Sequence, residues 1–238
     1  MTTPVLSMQG VSKRFTLHHQ NGVELPVLDN VDLQVHPGEC VVLDGASGMG
    51  KSTLLKLAYA NYRATAGRIQ VLGSSGSLLE VTQASARELL QMRRETVGYV
   101  SQFLRVIPRV AALDVVASAL TDGEVASPAA VADARVQTAE LLERLRIPQR
   151  LWSLPPATFS GGEQQRINIA RSLIKPRALL LMDEPTASLD VANTRTVVQL
   201  IQEAVARGSA VVGIFHDPDV GSDVATRRID ISCFRSQP

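Results

Sequence analysis

Four short apolar runs punctuate the chain, and each leads into a polar or charged residue. The runs cover residues 40–43, 97–100, 178–182 and 210–215. Runs of this length that are apolar on both faces are typical of strands buried in a parallel sheet. Residues 27–35 instead alternate between apolar and polar side chains, which is typical of a half-buried strand. The pattern predicts an α/β protein with a parallel central sheet and antiparallel β structure over residues 5–17 and 27–35.

From about residue 105 to residue 158, the sequence pattern indicates helices. Ser127 and Pro128 provide an N-cap followed by proline in the first helical turn. The helix predicted from there to about Arg146 has an apolar face formed by Val131, Ala134, Leu141, Leu142 and Leu145. We therefore predict a single domain over residues 1–238, in which a helical subdomain (105–158) is inserted between two core parts (1–104 and 159–238).

A glycine-rich loop follows the first apolar run and precedes a segment that can start a helix. It consists of Gly45, Ala46, Ser47, Gly48, Met49, Gly50, Lys51, Ser52 and Thr53. Glycines let the backbone N–H groups approach phosphate oxygens, and the helix start adds free donors and a positive dipole end. Lys51 can then reach terminal phosphates, and the Ser52 hydroxyl can bind Mg²⁺. The loop predicts a nucleoside triphosphate site.

Polar residues that follow the other apolar runs supply groups useful for triphosphate hydrolysis. In open α/β sheets, ligands bind at the carboxyl ends of the strands, so these residues can converge although they are far apart in sequence. Asp183 can hold Mg²⁺, and Glu184 can orient or deprotonate the attacking water. Gln102 can bind the metal or position the water, and His216 can donate a hydrogen bond to a phosphate. Each alone could be an ordinary polar residue at a strand end.

A second helix start lies at Ser160-Gly161-Gly162-Glu163. The spacing of Ser160 and Glu163 fits a capping box. One interpretation is a well-capped structural helix. The other is a second anion site, because the serine and the two glycines leave the helix N-terminus open to phosphate.

Composition narrows the function classes. The 24 basic and 23 acidic residues nearly balance and aromatic residues make up only 4%, so we expect no nucleic-acid partner. Cys40 and Cys233 have no metal-ligand spacing and are predicted to be buried free thiols. His18 and His19 are expected to be surface residues. Residues 1–10 lack signal-peptide features and no apolar run approaches the ~18 residues that span a bilayer, so we expect a cytoplasmic protein.

The ordered motifs together resemble those of ABC-type ATPases, a group of P-loop NTPases. Gly45–Thr53 resembles Walker A, Gln102 the Q-loop glutamine, residues 159–166 the signature motif, residues 179–184 Walker B with its base, and residues 188–190 the D-loop. His216 is similar to the switch histidine, and Phe15 to the aromatic that stacks on adenine. The resemblance implies ATP and Mg²⁺ as cofactors. It also implies a head-to-tail pair of domains, homo- or heterodimeric, in which Ser160, Gly161, Gly162 and Glu163 complete the partner's site.

Within the family, residues 17–22, 100–109 and 213–217 resemble the ATPase subunit of the bacterial carbon–phosphorus lyase system. That resemblance implies work on phosphonates beside a lyase core that forms or processes ribose 1-phosphonate 5-triphosphate. The apolar patch Phe103 to Ile107 is the docking candidate, and it could contact either a soluble partner or a permease. The alternative is the ATPase subunit of a membrane exporter of the lipoprotein-releasing or macrolide type, which would dock a permease. A small-molecule kinase is disfavoured, because simple kinases lack a signature motif.

Overall fold

A computed structural model describes residues 2–17, 22–102, 108–121 and 127–234. The strands are β1 (Leu6–Leu17), β2 (Val23–Val35), β3 (Cys40–Asp44), β4 (Ala66–Leu72), β5 (Leu78–Glu80), β6 (Val97–Val100), β7 (Leu179–Asp183), β8 (Ala210–Ile214) and β9 (Arg227–Asp230). The helices are α1 (Lys51–Ala58), α2 (Ala86–Glu95), α3 (Ala112–Thr121), α4 (Pro128–Arg144), α5 (Gly161–Leu173), α6 (Val191–Ala206) and α7 (Pro218–Val224). His18, His19 and the patch Phe103 to Ile107 lie outside the described residues.

The strands form two sheets. A parallel sheet has the order β6-β7-β8-β3-β9, and an antiparallel sheet has the order β2-β1-β4-β5. β7 and β8 are buried at every position, as expected for central strands of a parallel sheet. The predicted α/β architecture, a parallel core sheet with an additional antiparallel β region, is confirmed.

The bounds of β2 and the presence of β9 differ from the sequence prediction. β2 begins at Val23, four residues before the predicted start, because Val23 and Leu25 are about half exposed at the edge of the sheet and break the burial alternation. Pro26 is tolerated there, because an edge strand can lack one N–H donor. β9 was not predicted, since its Arg-Arg-Ile-Asp sequence has no apolar run. It pairs in parallel with β3 and borders the phosphate loop.

The region predicted to be helical contains α3 and α4. The Ser127 hydroxyl accepts a hydrogen bond from the Ala130 N–H at 3.2 Å, so the predicted cap is confirmed. Val131 was expected on the apolar face but is 41% exposed, because the buried stripe of α4 begins one turn later, at Ala134. α4 ends at Arg144, and Arg146 has a left-handed backbone conformation with φ 53° that stops the helix.

Two hydrophobic clusters cover the two faces of the parallel sheet and leave the carboxyl ends of its strands open. One cluster lies between the two sheets and includes α1, and the other packs the sheet against α3, α4, α5 and α6. Cys40 is fully buried, and burial raises the pKa of its thiol to about 12. Cys233 is exposed, contrary to prediction, because Ile231 and Phe234 are the residues of this short turn that pack against the core. Among the described helices, none is both long and apolar enough to span a bilayer.

Candidate functional site

The glycine-rich loop connects β3 to α1 in a conformation that requires glycine. Gly45, Gly48 and Gly50 have φ values of 128°, 78° and 98°, which L side chains rarely adopt. A Cβ at Gly45 would lie 2.8 Å from the Ile231 side chain. Gly50 takes the N-cap position of α1 and offers no side-chain cap. The first N–H groups of α1 are therefore available to an anion.

Two side chains at the start of α1 have defined partners. Lys51 Nζ donates hydrogen bonds to the carbonyl oxygens of Ala46, at 2.9 Å, and Gly45. Ser52 Oγ donates to Asp183 Oδ1 at 2.8 Å. The Lys51 ammonium group is thus held at the loop. At the next residue, the Ser52 hydroxyl contacts the Asp183 carboxylate. Hard oxygen groups of this kind fit Mg²⁺, which takes few protein ligands beside phosphate oxygens and water.

Asp183 has a second partner that the sequence did not indicate. Tyr99 Oη donates a hydrogen bond to Asp183 Oδ2 at 3.1 Å. Burial, together with the neighbouring carboxylate, raises the pKa of Tyr99, so its hydroxyl stays protonated and remains a donor. Asp183 itself is 7% exposed. Both of its oxygens are therefore oriented by hydrogen bonds, one from the loop side and one from β6.

Glu184 follows β7 in a strained backbone conformation. Its φ of 51° is uncommon for a residue with a side chain, and its N–H donates to the Ile214 carbonyl oxygen at 3.0 Å. Gln102 Nε2 donates to Glu184 Oε2 at 3.2 Å. The structure thus brings together two predicted residues, separated by 82 positions in the chain, at the carboxyl ends of neighbouring strands.

A cavity of about 700 Å³ lies above the loop and is large enough for a nucleotide. Most of the predicted cofactor-binding residues line it. Its walls include Phe15, Gly45, Ser47, Gly48, Met49, Gly50, Lys51, Ser52 and Thr53, together with Glu184, His216 and Arg228. The Phe15 ring makes an edge contact with Tyr62, with centroids 5.2 Å apart, and Lys13 Nζ lies 4.6 Å from its centroid. Phe15 is half-buried and leaves an aromatic surface at the cavity wall.

The Ser160 to Glu163 segment does not line this cavity. Both halves of its capping box are formed: Glu163 N–H donates to Ser160 Oγ at 3.4 Å, and Ser160 N–H donates to Glu163 Oε2 at 2.9 Å. The Ser160 hydroxyl and backbone hydrogen bonds lower the pKa of Glu163. A Cβ at Gly161 would meet no atom within 4 Å, whereas one at Gly162 would lie 2.8 Å from the Ser188 carbonyl oxygen. The helix start is therefore capped, and it does not border the cavity of the same chain.

Helix α5 also fixes the loops around the site through residues that sequence reasoning did not single out. Gln165 Nε2 donates to the carbonyl oxygens of Ser101 and Pro185, at 3.2 and 3.3 Å. Asn168 Nδ2 donates to the Ser101 carbonyl oxygen at 2.8 Å. These contacts tie the residues that precede Gln102 and follow Glu184 to one helix. Both amide side chains are buried, and Ser172 one turn further along α5 is buried as well. The sequence signal was the helical spacing of these three polar residues among apolar neighbours.

Comparison with known proteins identifies the family. Residues 28–187 match the family model described as "ABC transporter", and this match covers more than half of the chain. The chain belongs to the ABC transporter family and is an ABC ATPase domain; this family binds ATP, generally with Mg²⁺. It is similar to the ATP-binding cassette MJ0796, solved as a dimer in a post-hydrolysis state bound to ADP and Pi. The TM-score is 0.82 at 28% sequence identity, and the match covers 94% of this chain and 93% of that one.

Curated relatives carry the names of export and release systems. The chain is 41% identical to "Lipoprotein-releasing system ATP-binding protein LolD 2" of Caulobacter vibrioides, over 92% of this chain and 91% of the relative. It is 36% identical to "Macrolide export ATP-binding/permease protein MacB" of Wolinella succinogenes, over 93% of this chain. The chain spans only 32% of that relative's length.

These names overturn one prediction from the sequence. The main prediction, an ATPase subunit of the carbon–phosphorus lyase system that resembles PhnL, is wrong by this comparison. Relatives that align with more than nine-tenths of the chain are named LolD and MacB, and these names do not refer to phosphonates. The stretches that suggested the lyase subunit are short, and residues 18–21 and 103–107 fall outside the described structure. The exporter alternative agrees with matches that extend over more than nine-tenths of the chain.

Proposed function

We propose that this chain is the ATP-hydrolysing component of an ABC export or release system and acts on a membrane permease. The observation that carries the proposal is the 41% identity to the LolD relative, which extends over nearly the full length of both chains. MacB relatives, whose name combines ATP-binding and permease parts, support the same class. The two groups of relatives are named for lipoprotein release and for macrolide export.

The proposed roles follow from the contacts in the cavity. Lys51 and the loop N–H groups bind the phosphates, and Phe15 stacks on adenine. Ser52 and Asp183, which share a hydrogen bond, would hold Mg²⁺ together with Gln102. The metal neutralises phosphate charge when it is bound. Glu184 orients and deprotonates the water, and its contact with Gln102 gives that carboxylate a defined position. His216, on the cavity wall, donates to the terminal phosphate.

We further propose that a second ABC domain completes the site. The supporting observation is the separation, within one chain, between the cavity and the capped start of α5 at Ser160 to Glu163. Dimeric structures of a similar cassette agree with such a pair. A helix start supplied by the partner would contact the phosphate only while ATP is present.

Glu184→Gln tests the hydrolytic role. The variant keeps the phosphate and metal contacts but loses the base, so hydrolysis is expected to fall by ~10²–10⁴-fold while ATP still binds. Size-exclusion chromatography with Mg-ATP is expected to show a dimer that the wild-type chain does not accumulate. Normal turnover would remove Glu184 from the proposed role, and the absence of any ATP-dependent dimer would contradict the shared site.

The permease partner is tested with the same variant. Affinity purification of tagged Glu184→Gln from detergent-solubilised membranes, with ATP present, is expected to recover an integral membrane protein encoded beside this chain. Lys51→Ala serves as the control that does not retain ATP. Recovery of Glu184→Gln from native membranes without any integral membrane protein would contradict the export assignment and leave the ATPase assignment intact.

A further inference from the structure

An acidic residue stands at the base of the phosphate-binding loop. Asp44 is the last residue of β3 and directly precedes Gly45, and both residues line the cavity. A carboxylate here carries the same sign of charge as a triphosphate and repels it. The loop therefore contains a charge that opposes the binding of its own proposed ligand.

Arg228 donates one hydrogen bond to each oxygen of this carboxylate. Arg228 Nε donates to Asp44 Oδ2 at 2.8 Å, and Nη2 donates to Asp44 Oδ1 at 2.7 Å. Arg228 lies opposite Val42 in the parallel β3–β9 pairing, so its side chain is on the same sheet face as Asp44 two residues further on. The remaining nitrogen, Nη1, donates to Ser222 Oγ at 2.8 Å and fixes the plane of the guanidinium group.

The pair has little to contribute to folding. The Arg228 and Asp44 side chains are 40% and 37% exposed, and ion pairs with this exposure are usually worth little in stability. Its place is more informative, because Arg228 lines the same cavity as Lys51 and Glu184. In this position the ion pair can act electrostatically on an anion bound in the cavity.

We infer that Arg228 is a positioning residue that neutralises Asp44, so that the loop presents a net positive field to the triphosphate. Arg228 acts through Asp44 and needs no contact with the nucleotide. The inference rests on the proposed function only in that ATP is the ligand of the cavity. It makes a distinctive prediction, because removal of the carboxylate should cancel the effect of removing the arginine.

The test is a double-mutant cycle that measures nucleotide affinity by isothermal titration calorimetry. Arg228→Ala is expected to weaken ATP binding about tenfold at low salt, and less at high salt, where the field is screened. Asp44→Asn is expected to bind ATP at least as tightly as the wild type. The double variant is expected to return to within about twofold of the wild-type affinity.

Arg227→Ala is the matched control. Arg227 precedes Arg228 on β9, is similarly exposed, and pairs with Glu39 at 3.2 Å, but it does not line the cavity. Its ATP affinity is expected to match the wild type. Melting temperatures of all four variants are expected to stay within a few degrees of the wild type.

The outcomes separate this inference from the proposed function. If the wild-type chain does not bind ATP, both fall. If the wild type binds ATP but Arg228→Ala binds equally well, the inference alone is wrong. It is also wrong if the double variant remains as weak as Arg228→Ala, because Arg228 would then contact the nucleotide directly or act through the fold.

Discussion

The phosphate loop and the start of α5 are both helix N-termini with adjacent glycines, yet they differ in what surrounds them. The loop at Gly45–Thr53 has no side-chain cap and opens into a cavity with Glu184 and His216 on its wall. The start of α5 is closed by a reciprocal capping box between Ser160 and Glu163, and it does not border that cavity. One terminus is therefore equipped to bind an anion beside Glu184 and His216, while in the described part of the chain the other does not border that cavity.

The difference explains why similar local sequences take different roles. The start of α1 has no side-chain cap because Gly50 has no side chain, and positive φ values at Gly45, Gly48 and Gly50 shape the loop backbone. At α5 the glycines serve two purposes: Gly162 allows close packing on Ser188, and Gly161 leaves an open surface. An open surface beside a capped helix start is suited to a contact with another molecule.

The largest expected effect is on ATP binding by the phosphate loop. Lys51→Ala should weaken ATP binding by at least about 100-fold, because two or more charge-assisted hydrogen bonds to phosphate are lost. Lys56→Ala is the control, since Lys56 lies on the same helix but not on the cavity wall. Titration calorimetry measures both. An unchanged affinity in Lys51→Ala would contradict the assignment of the loop.

A substitution at the start of α5 should lower ATP hydrolysis without weakening ATP binding. Gly161→Asp adds a side chain in open space, and an acidic residue in the first turn favours the helix. The variant should therefore fold and bind ATP as a single chain within about twofold of the wild type. Its carboxylate would repel a partner's phosphate, so turnover should fall by at least about tenfold relative to Gly161→Asn. Equal turnover of these two variants would contradict the anion-binding role.

The sequence predicted the local parts of the site better than the long-range ones. Gly45–Thr53 is a continuous segment whose glycine spacing encodes its backbone, and the apolar runs before Gln102, Asp183 and His216 placed these residues at strand ends. Tyr99 and Arg228 were missed because their partners are 84 and 184 positions away. Only the strand order, with β6 beside β7 and β9 beside β3, creates those contacts, and a single sequence does not reveal that order.

A smaller effect is expected when the hydrogen bond from Tyr99 to Asp183 is removed. Tyr99→Phe removes the hydrogen bond to Asp183 but keeps the ring, so the Mg²⁺ concentration for half-maximal hydrolysis should rise about tenfold. Tyr59→Phe is the control, because the Tyr59 ring stacks 4.9 Å from the Tyr99 ring and lacks a described contact with Asp183. A lower rate at all Mg²⁺ concentrations, with an unchanged midpoint, would show that Tyr99 does not act through the metal.

The smallest effect concerns the two thiols. Burial raises the pKa of Cys40 from 9.0 to about 12, so its thiol remains protonated and unreactive at pH 8 while the protein is folded. Cys233 is exposed and should react with a disulfide reagent at once. One fast thiol is expected in the native protein and two after denaturation. Two fast thiols in the native protein would show that β3, the strand that carries the loop, is not stably packed.

In a working site, the phosphate loop and the start of α5 are proposed to come from different chains. A mixing experiment tests this proposal most directly. Lys51→Ala and Gly161→Asp are each expected to retain at most about a tenth of the wild-type hydrolysis rate as pure proteins. A mixed dimer has one site with both defects and one site with neither. An equimolar mixture should therefore recover about a quarter of the wild-type hydrolysis rate, given random two-fold pairing. No recovery, at concentrations where both variants are shown to exchange into mixed dimers, would contradict the claim.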